Sequence, residues 1–240
     1  MVSKNQIKLV KSLHQKKYRN RHNLFVAEGI KVVQELVNSD FKVNSLFSTD
    51  PEINLGTTDT IEIVAEAELK KMSALTSPNN ILGVFEIPQT QKPNFDGWIV
   101  VLDDIRDPGN LGTIIRLCDW FGIEHLVCSS NTVDCYNPKT LQATMGSISR
   151  VNIGYTDLLT FLHNAPVNVF GAFMEGGSVY KKDMPNSGIL VMGNEANGVS
   201  KEVEAMVTQK ISIPQFGKST TESLNVATAT AILLNEIRRK

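Results

Sequence analysis

A strand that runs straight into a helix is indicated by residues 98–116, WIVVLDDIRDPGNLGTIIR. Trp98–Leu102 is a near-continuous run of large and β-branched apolar residues, which is typical of a strand buried on both faces. The apolar spacing that follows predicts a helix over Leu111–Phe121, ended by Gly122. Ligands of α/β proteins bind beyond the carboxyl ends of strands, where such turns lie. The turn Asp107–Gly112 is therefore a candidate binding site.

The rest of the chain continues this alternation of strands and helices. Further strands are predicted at Val43–Ser48, Thr60–Val64, Ile81–Ile87, Glu124–Cys128, Val167–Phe173, Ile189–Met192 and Lys210–Ile213. Helices are predicted at Lys4–Gln15, Gly29–Val37 and Glu66–Met72, from the cap Asn137 to about Ser147, from the cap Thr156 to about His163, from the cap Ser200 to Val207, and over Ser223–Arg239. Such alternation indicates a mostly parallel sheet covered by helices on both faces.

A change in composition divides the chain into two parts. Residues 88–97, PQTQKPNFDG, contain two prolines, a glycine and polar filler, which is the composition of a linker. We predict a small α/β domain in residues 1–88, a linker in residues 89–97 and a second domain in residues 98–240.

Charge is uneven along the chain, although its 240 residues carry a formal net charge of only −1. Residues 1–22 contain no acid, but they contain the basic residues Lys4, Lys8, Lys11, Lys16, Lys17, Arg19 and Arg21. Such a block predicts a surface that contacts phosphates. A solvated and frayed N-terminal helix would have the same composition.

The composition also bounds the class of protein and its compartment. Hydrophobic residues make up 42% of the chain, which is enough for a proper core. The three cysteines, Cys118, Cys128 and Cys135, form no C-x-x-C pair, which disfavours a disulfide framework and a zinc site. The N-terminus lacks the apolar stretch of a signal peptide, and no run approaches the roughly 18 apolar residues of a membrane span. We expect a soluble cytoplasmic protein.

Two glycine-containing segments raise the alternative of a nucleotide-binding enzyme. Gly193–Gly198 (GNEANG) follows a predicted buried strand but lacks the G-x-G-x-x-G spacing of a dinucleotide site. Residues 217–219 (GKS) look like the end of a P-loop, but the leading position is Ser212, and Pro214 removes a backbone N–H from the would-be cradle. A nucleotide-dependent α/β enzyme is therefore disfavoured.

Polar residues near the starts of two predicted helices are candidates for chemistry. Helical side chains lean toward the helix N-terminus, so Asn110 and Arg116 could meet one phosphate or ribose. A helix cap with a surface arginine explains these two residues equally well. Ser223 is a reasonable N-cap for the last helix, whose start also carries Leu224 and Asn225.

Three segments taken together, Leu102–Arg116, Leu190–Ser200 and Ile213–Glu236, resemble the three motifs of the SpoU (TrmH-type) RNA ribose 2′-O-methyltransferases of the SPOUT class. The resemblance covers about Trp98–Lys240. Residues 11–29, KSLHQKKYRNRHNLFVAEG, resemble more loosely the substrate-binding domain that many members carry. The resemblance implies an α/β fold: a trefoil-knotted, parallel-sheet methyltransferase domain preceded by a small α/β RNA-binding domain, in a homodimer.

The same resemblance implies a set of site residues. The implied catalytic residues are Asn110, Arg116, Glu195, Ser223 and Asn225. S-adenosylmethionine is expected to bind largely through backbone groups, at or beside Met192, Gly193, Ile213 and Leu224, and no metal is expected. The basic block supplies the expected RNA-binding residues Lys11, Lys16, Lys17, Arg19 and Arg21. Two positions depart from the family's pattern: the loop Gln215–Glu222 is longer than in many members, and Gln142 stands where arginine is often found.

The implied reaction is transfer of a methyl group from S-adenosylmethionine to a ribose 2′-hydroxyl. Because that hydroxyl distinguishes RNA from DNA, we expect RNA as the substrate and no action on DNA or at membranes. The resemblance of the N-terminal domain favours ribosomal over transfer RNA, with transfer RNA as the alternative. The runner-up from another class is a non-catalytic RNA-binding dimer on the same fold, against which the intact set of motif residues argues.

Overall fold

The computed structural model describes residues 2–217 and 223–239, and it divides into two compact units. The N-terminal unit combines Met1–Gln89 with Asp134–Ser149, and the C-terminal unit combines Thr90–Val133 with Arg150–Lys240. The domain boundaries suggested by the sequence stay a prediction. They follow chain order, which does not reveal that residues 134–149 pack with the N-terminal unit.

Nine α-helices and ten strands lie within the described ranges. The helices are α1 (Lys4–Ser12), α2 (Lys16–His22), α3 (Ile30–Val37), α4 (Glu66–Met72), α5 (Pro108–Trp120), α6 (Pro138–Thr144), α7 (Leu158–His163), α8 (Lys201–Glu204) and α9 (Val226–Arg238). The strands are β1 (Leu24–Glu28), β2 (Val43–Ser48), β3 (Ile61–Ile63), β4 (Ile81–Glu86), β5 (Trp98–Leu102), β6 (His125–Ser129), β7 (Asn152–Thr156), β8 (Val169–Ser178), β9 (Gly188–Met192) and β10 (Gln209–Ser212). None of these helices has the length and apolar character that a membrane crossing would need.

The N-terminal unit contains a mixed four-stranded sheet in the order β1-β4-β2-β3. β4 pairs antiparallel with β1 and β2, whereas β3 runs parallel to β2. Segment Asp134–Ser149 covers part of β1: α6 packs against that strand, and Gln142 Nε2 donates a hydrogen bond to the Glu28 carbonyl at 2.7 Å. The ring of Tyr136 also lies 4.5 Å from that of Phe25. A distant stretch of chain therefore completes this unit.

The single basic helix predicted over Lys4–Gln15 is two helices in the structure. α1 is capped by Ser3 in a reciprocal pair with Gln6, and it ends at Ser12. The following turn contains the buried Leu13, whose carbonyl accepts a hydrogen bond from Arg19 Nη1 at 2.9 Å. That bond holds the turn between α1 and α2.

Arg19 differs from the other residues of the basic block because it is buried. Only 2% of it is exposed, and its Nε donates to Asp134 Oδ2 at 3.0 Å. Nη2 donates to the same oxygen, so the guanidinium faces the carboxylate through two N–H groups. The expectation that Arg19 contacts RNA is therefore corrected: its charge is satisfied inside the fold.

The C-terminal unit contains a six-stranded sheet in the order β10-β8-β9-β5-β6-β7, in which every pair is parallel. β5 and β9 lie at its centre and are buried along their whole lengths, as the apolar run Trp98–Leu102 indicates. The predicted parallel sheet is confirmed. The sequence did not indicate β7, which is a partly exposed edge strand with a glycine in its middle.

Aspartate side chains shift the starts of two helices away from the predicted positions. α5 begins at Pro108, not Leu111, because Asp107 Oδ1 accepts from the Asn110 backbone N–H at 2.7 Å and proline suits the first helical position. α7 is capped by Asp157 and not by Thr156. Hydrogen bonds from Thr160 hold the pKa of Asp157 below its ordinary value. α8 ends at Glu204, earlier than the predicted Val207.

We predict that Asp134→Ala lowers the free energy of unfolding by about 3–5 kcal/mol, because Arg19 would be left buried without its counter-charge. The measurement is urea unfolding, followed by circular dichroism. The control is Glu204→Ala, which removes the acid of the exposed ion pair with Lys210 and should change the free energy by less than about 1 kcal/mol. Equal effects of the two substitutions would contradict the structural role of Arg19.

Candidate active site

The candidate site lies at one edge of the parallel sheet. β5, β9 and β10 end at Leu102, Met192 and Ser212, and their carboxyl ends lie at the same edge because the strands are parallel. The backbone N–H of Asp103 donates to the Met192 carbonyl at 2.9 Å, which carries the ladder one residue further. The segments that hold the predicted site residues leave the sheet from this edge.

Three of the predicted catalytic residues form one chain of hydrogen bonds. Asn225 Nδ2 donates to Asn110 Oδ1 at 2.9 Å, and Asn110 Nδ2 donates to Glu195 Oε1 at 2.9 Å. These residues are 115 and 85 positions apart in sequence, so the chain ties together three separate segments. The structure therefore brings together one residue from each of the three motifs.

The direction of this chain follows from the start of α9. Asn225 Oδ1 accepts the backbone N–H groups of Ala227 and Thr228 at 2.9 and 3.3 Å. With its oxygen facing the helix, Asn225 has its NH₂ group left to donate to Asn110. Asn110 must then accept through its oxygen and donate through its nitrogen, for which Glu195 Oε1 is the acceptor. A helix cap thus sets the polarity of the site.

The prediction that Ser223 caps the last helix is wrong, because Asn225 caps α9. An asparagine amide oxygen at this position reaches two N–H groups, and the helix begins at Val226. Ser223 and Leu224 precede the helix and are exposed, with Leu224 48% exposed. Ser223 makes no hydrogen bond to another described residue, so the structure does not bring it into the chain.

Arg116 also remains outside the chain of hydrogen bonds. It lies on α5 six residues after Asn110, which corresponds to about 9 Å along the helix axis. Its side chain is exposed and makes no hydrogen bond or ion pair with another described residue. All five of its N–H groups are thus available to a ligand.

Two buried polar residues that the sequence reasoning missed organise the surrounding loops. Asn194 Oδ1 accepts the backbone N–H groups of Ala196 and Asn197 at 2.9 and 3.0 Å, which shapes the loop that presents Glu195. Asp103 Oδ2 accepts the Ser200 N–H at 2.8 Å. Asn194 starts a turn of small and polar residues, and this pattern is the signal by which the sequence analysis could have found it.

Gly193 is required by a close approach of the backbone. A Cβ atom built there would lie 2.2 Å from the Gly198 carbonyl carbon and the Val199 nitrogen. The Asn194 and Gly198 backbones hydrogen-bond each other at 2.9 Å in both directions, and Gly198 has a φ of +69°. The close approach therefore requires glycine at position 193, and glycine at position 198 adopts the left-handed backbone without a steric cost.

Backbone groups beside this loop fit the expected cofactor contacts. The backbones of Gly193, Ile213 and Leu224 make no hydrogen bond to another described residue, although Gly193 and Ile213 are half-buried. Half-buried backbone N–H and C=O groups need partners from water or a ligand. The Met192 side chain is buried beside them. Across residues 2–217 and 223–239, no three His, Cys, Asp or Glu side chains cluster as metal ligands.

The other four predicted RNA-binding residues lie on the surface of the N-terminal unit. Lys11 is in the last turn of α1, and Lys16, Lys17 and Arg21 are on α2. All four are exposed. They carry the exposed positive charge that the sequence indicates, whereas Arg19 is buried.

Comparison with known proteins finds two family matches along the chain. The SpoU rRNA Methylase family matches residues 97–235, and the MRM3-like substrate binding domain matches residues 4–83. The 23S rRNA (guanosine(2553)-2′-O)-methyltransferase RlmP of Bacillus subtilis is 30% identical over 98% of this chain and 97% of its own length.

Solved structures match the whole chain. A TrmH-family protein from Porphyromonas gingivalis superposes with a TM-score of 0.90 and 38% identity, over 99% of this chain and 98% of that one. An rRNA methyltransferase from Sinorhizobium meliloti, solved with AdoMet bound, superposes with a TM-score of 0.85 and 30% identity, over 99% of this chain and 96% of that one.

We predict that Asn225→Ala lowers the free energy of unfolding by about 1 kcal/mol, because α9 loses its cap. Ser223→Ala is the matched control and should leave stability within about 0.5 kcal/mol. Both variants are compared by urea denaturation. A loss from Ser223→Ala as large as that from Asn225→Ala would mean that the helix start is assigned to the wrong residue.

Proposed function

Because the chain belongs to the SpoU rRNA Methylase family, we propose that it transfers the methyl group of S-adenosylmethionine to a ribose 2′-hydroxyl of ribosomal RNA. One observation carries the proposal at the level of the site: the hydrogen-bonded chain Asn225–Asn110–Glu195, formed by one residue from each of three motifs. The full-length similarity to RlmP, a protein named for methylation of 23S rRNA, supports ribosomal over transfer RNA.

The cofactor would be held by backbone groups of Gly193, Ile213 and Leu224, beside the Met192 side chain. Their lack of partners among the described residues supports this assignment. When bound, S-adenosylmethionine supplies a methyl group that is already activated for transfer. The task left to the protein is to align the ribose oxygen, and alignment alone supplies several kcal/mol.

Arg116 acts as an electrostatic clamp in this proposal. A guanidinium is a poor base because it has five N–H donors and no acceptor, but it binds phosphate through two parallel N–H groups and stabilises a developing alkoxide. Arg116 has no partner among residues 2–217 and 223–239, which suits a residue that binds substrate. The proton of the 2′-hydroxyl then passes to the adjacent phosphate or to water.

Glu195 acts as an organiser in this proposal. Its Oε1 already accepts a hydrogen bond from Asn110, whose orientation is set in turn by Asn225. A carboxylate held this way fixes the amide groups around the ribose. The exposed Ser223 lies two residues before Asn225 and completes the motif.

The exposed basic residues Lys11, Lys16, Lys17 and Arg21 contact RNA phosphates in this proposal, within a substrate-binding domain at residues 1–88. The match of residues 4–83 to a substrate-binding domain supports this role. The proposal also includes a trefoil knot in the C-terminal domain and a homodimer in the cytoplasm. The three motifs support the knot, and closed twofold symmetry is the commonest arrangement of oligomers.

We predict that the protein transfers label from methyl-labelled S-adenosylmethionine to 2′-O-methyl nucleosides of ribosomal RNA. Arg116→Ala should lower kcat by about 10²–10³, because the developing oxyanion loses its positive partner. Digested ribosomal and transfer RNA are analysed separately, and unchanged melting temperature confirms that the variant is folded. Label on a base would overturn the ribose assignment, and cofactor binding without label would favour a non-catalytic RNA-binding dimer.

We predict that the double substitution Lys17→Gln/Arg21→Gln makes the decrease of log affinity for RNA with log salt less steep, by about 1.5 in slope. The reason is that each phosphate contact releases a counterion. The control Lys70→Gln/Lys71→Gln removes the same charge from exposed positions of α4 in the same unit. It should leave the slope unchanged. Equal changes for both pairs would show a net-charge effect rather than a binding surface.

A further inference from the structure

An exposed arginine is held in one orientation between β5 and α5. Arg106 Nε donates to Asp104 Oδ1 at 3.0 Å, and Arg106 Nη2 donates to Asp104 Oδ2 at 2.9 Å. The arginine side chain is nevertheless 72% exposed. The two-point contact uses two of its five N–H groups and leaves three without a partner among the described residues.

Asp104, which holds this arginine, is itself anchored in a strained conformation. Its φ is +59°, a left-handed value that costs a non-glycine residue about 1–2 kcal/mol. Its backbone N–H donates to Ser129 Oγ at 2.9 Å, and its carbonyl accepts from Asn194 Nδ2 at 2.6 Å. The aspartate is therefore fixed to the end of β6 on one side and to the loop carrying Glu195 on the other.

Stabilisation by the ion pair with Arg106 does not by itself explain this arrangement. An exposed ion pair contributes at most about 1 kcal/mol, which does not exceed the strain at Asp104. The hydrogen bonds and charge of Asp104, with a smaller contribution from Glu195, raise the pKa of Arg106 further above its ordinary value. The cation thus lies within the electrostatic reach of a proposed catalytic carboxylate.

We propose that Arg106 is a positioning residue that binds a phosphate of the RNA strand beside the methylated nucleotide. This inference rests on the proposed function. A planar arginine fork fixed by a carboxylate is preorganised for a tetrahedral oxyanion, because little conformational entropy is left to lose on binding. Arg116 has no such carboxylate partner in the part of the chain that the structure describes, so its side chain can move with the reacting nucleotide.

The place of Arg106 in the sheet favours RNA phosphate over the carboxylate of the cofactor. The expected cofactor contacts follow β9 and β10, which lie on one side of β5. Asp104 is anchored to Ser129 at the end of β6, which lies on the other side of β5. Asp104 also accepts a hydrogen bond from Asn194 after β9, so Arg106 lies at the boundary between the cofactor strands and β6. The β6 side of this boundary is the side that the expected cofactor contacts leave open to RNA.

The test compares four variants by steady-state kinetics and by binding to deproteinised 23S ribosomal RNA without turnover. Arg106→Ala should raise KM for RNA about tenfold or more and lower the salt slope of binding by about 0.7–0.9, with KM for S-adenosylmethionine and kcat within about twofold. Arg106→Lys should restore the salt slope but not the KM, because it keeps the charge and loses the fork.

Two further variants separate orientation from charge and from general surface effects. Asp104→Asn tolerates the left-handed backbone but weakens the hold on Arg106, so KM for RNA should rise while the salt slope stays. Arg150→Ala is the matched control, because Arg150 makes a comparable exposed pair with Asp119 at 2.9 Å. Arg150 precedes β7 and so lies at the amino ends of the strands, away from the candidate site. This control should change neither KM nor the slope.

The outcomes are distinguishable from failure of the proposed function. A wild-type protein without 2′-O-methyl product would sink the proposed activity, and the salt slopes would still decide whether Arg106 binds RNA. An active wild type whose Arg106→Ala variant keeps both KM for RNA and salt slope would overturn the inference. A rise in KM for S-adenosylmethionine alone would reassign Arg106 to the cofactor.

Discussion

Parallel pairing of β5 with β9, and of β8 with β9 and β10, gathers the carboxyl ends of these strands at one edge of the C-terminal sheet. Side-chain hydrogen bonds hold the described parts of the segments that leave this edge. Asn225 contributes most, because one amide group caps α9 with its oxygen and orients Asn110 with its nitrogen. Secondary structure and site geometry are therefore set by the same atoms.

Much of this architecture follows from local sequence patterns. The apolar runs at β5 and β9 indicate buried parallel strands, because no exposed strand would consist of apolar residues alone. The helix starts are less predictable, since several polar residues compete for each cap. Asp107 caps α5 ahead of the predicted start at Leu111, and Asn225 rather than Ser223 caps α9, through hydrogen bonds that sequence patterns cannot rank. The edge strand β7 was missed because its short, mixed sequence has no clear alternation.

For the candidate site, the sequence predicts residues but not the contacts between them. Resemblance to known motifs indicates Asn110, Glu195 and Asn225, but it does not say which atom donates to which. Asn194 and Asp104 support the loops of the candidate site through hydrogen bonds with backbone groups, and such bonds leave little trace in the sequence. The prediction for Arg19 failed because, within a basic block, this residue looks like its exposed neighbours. Its burial depends on Asp134, a partner 115 residues away in the sequence.

The discontinuity of the N-terminal unit has a consequence for synthesis on the ribosome. Segment Asp134–Ser149 covers β1, yet it emerges only after β5, α5 and β6 have been made. Until then, Phe25 lacks the ring of Tyr136, and Arg19 lacks its counter-ion. A nascent chain therefore carries an unfinished N-terminal unit while β5, α5 and β6 of the second unit are being extruded. The N-terminal unit can be completed only after residues 90–133 of the C-terminal unit have been translated.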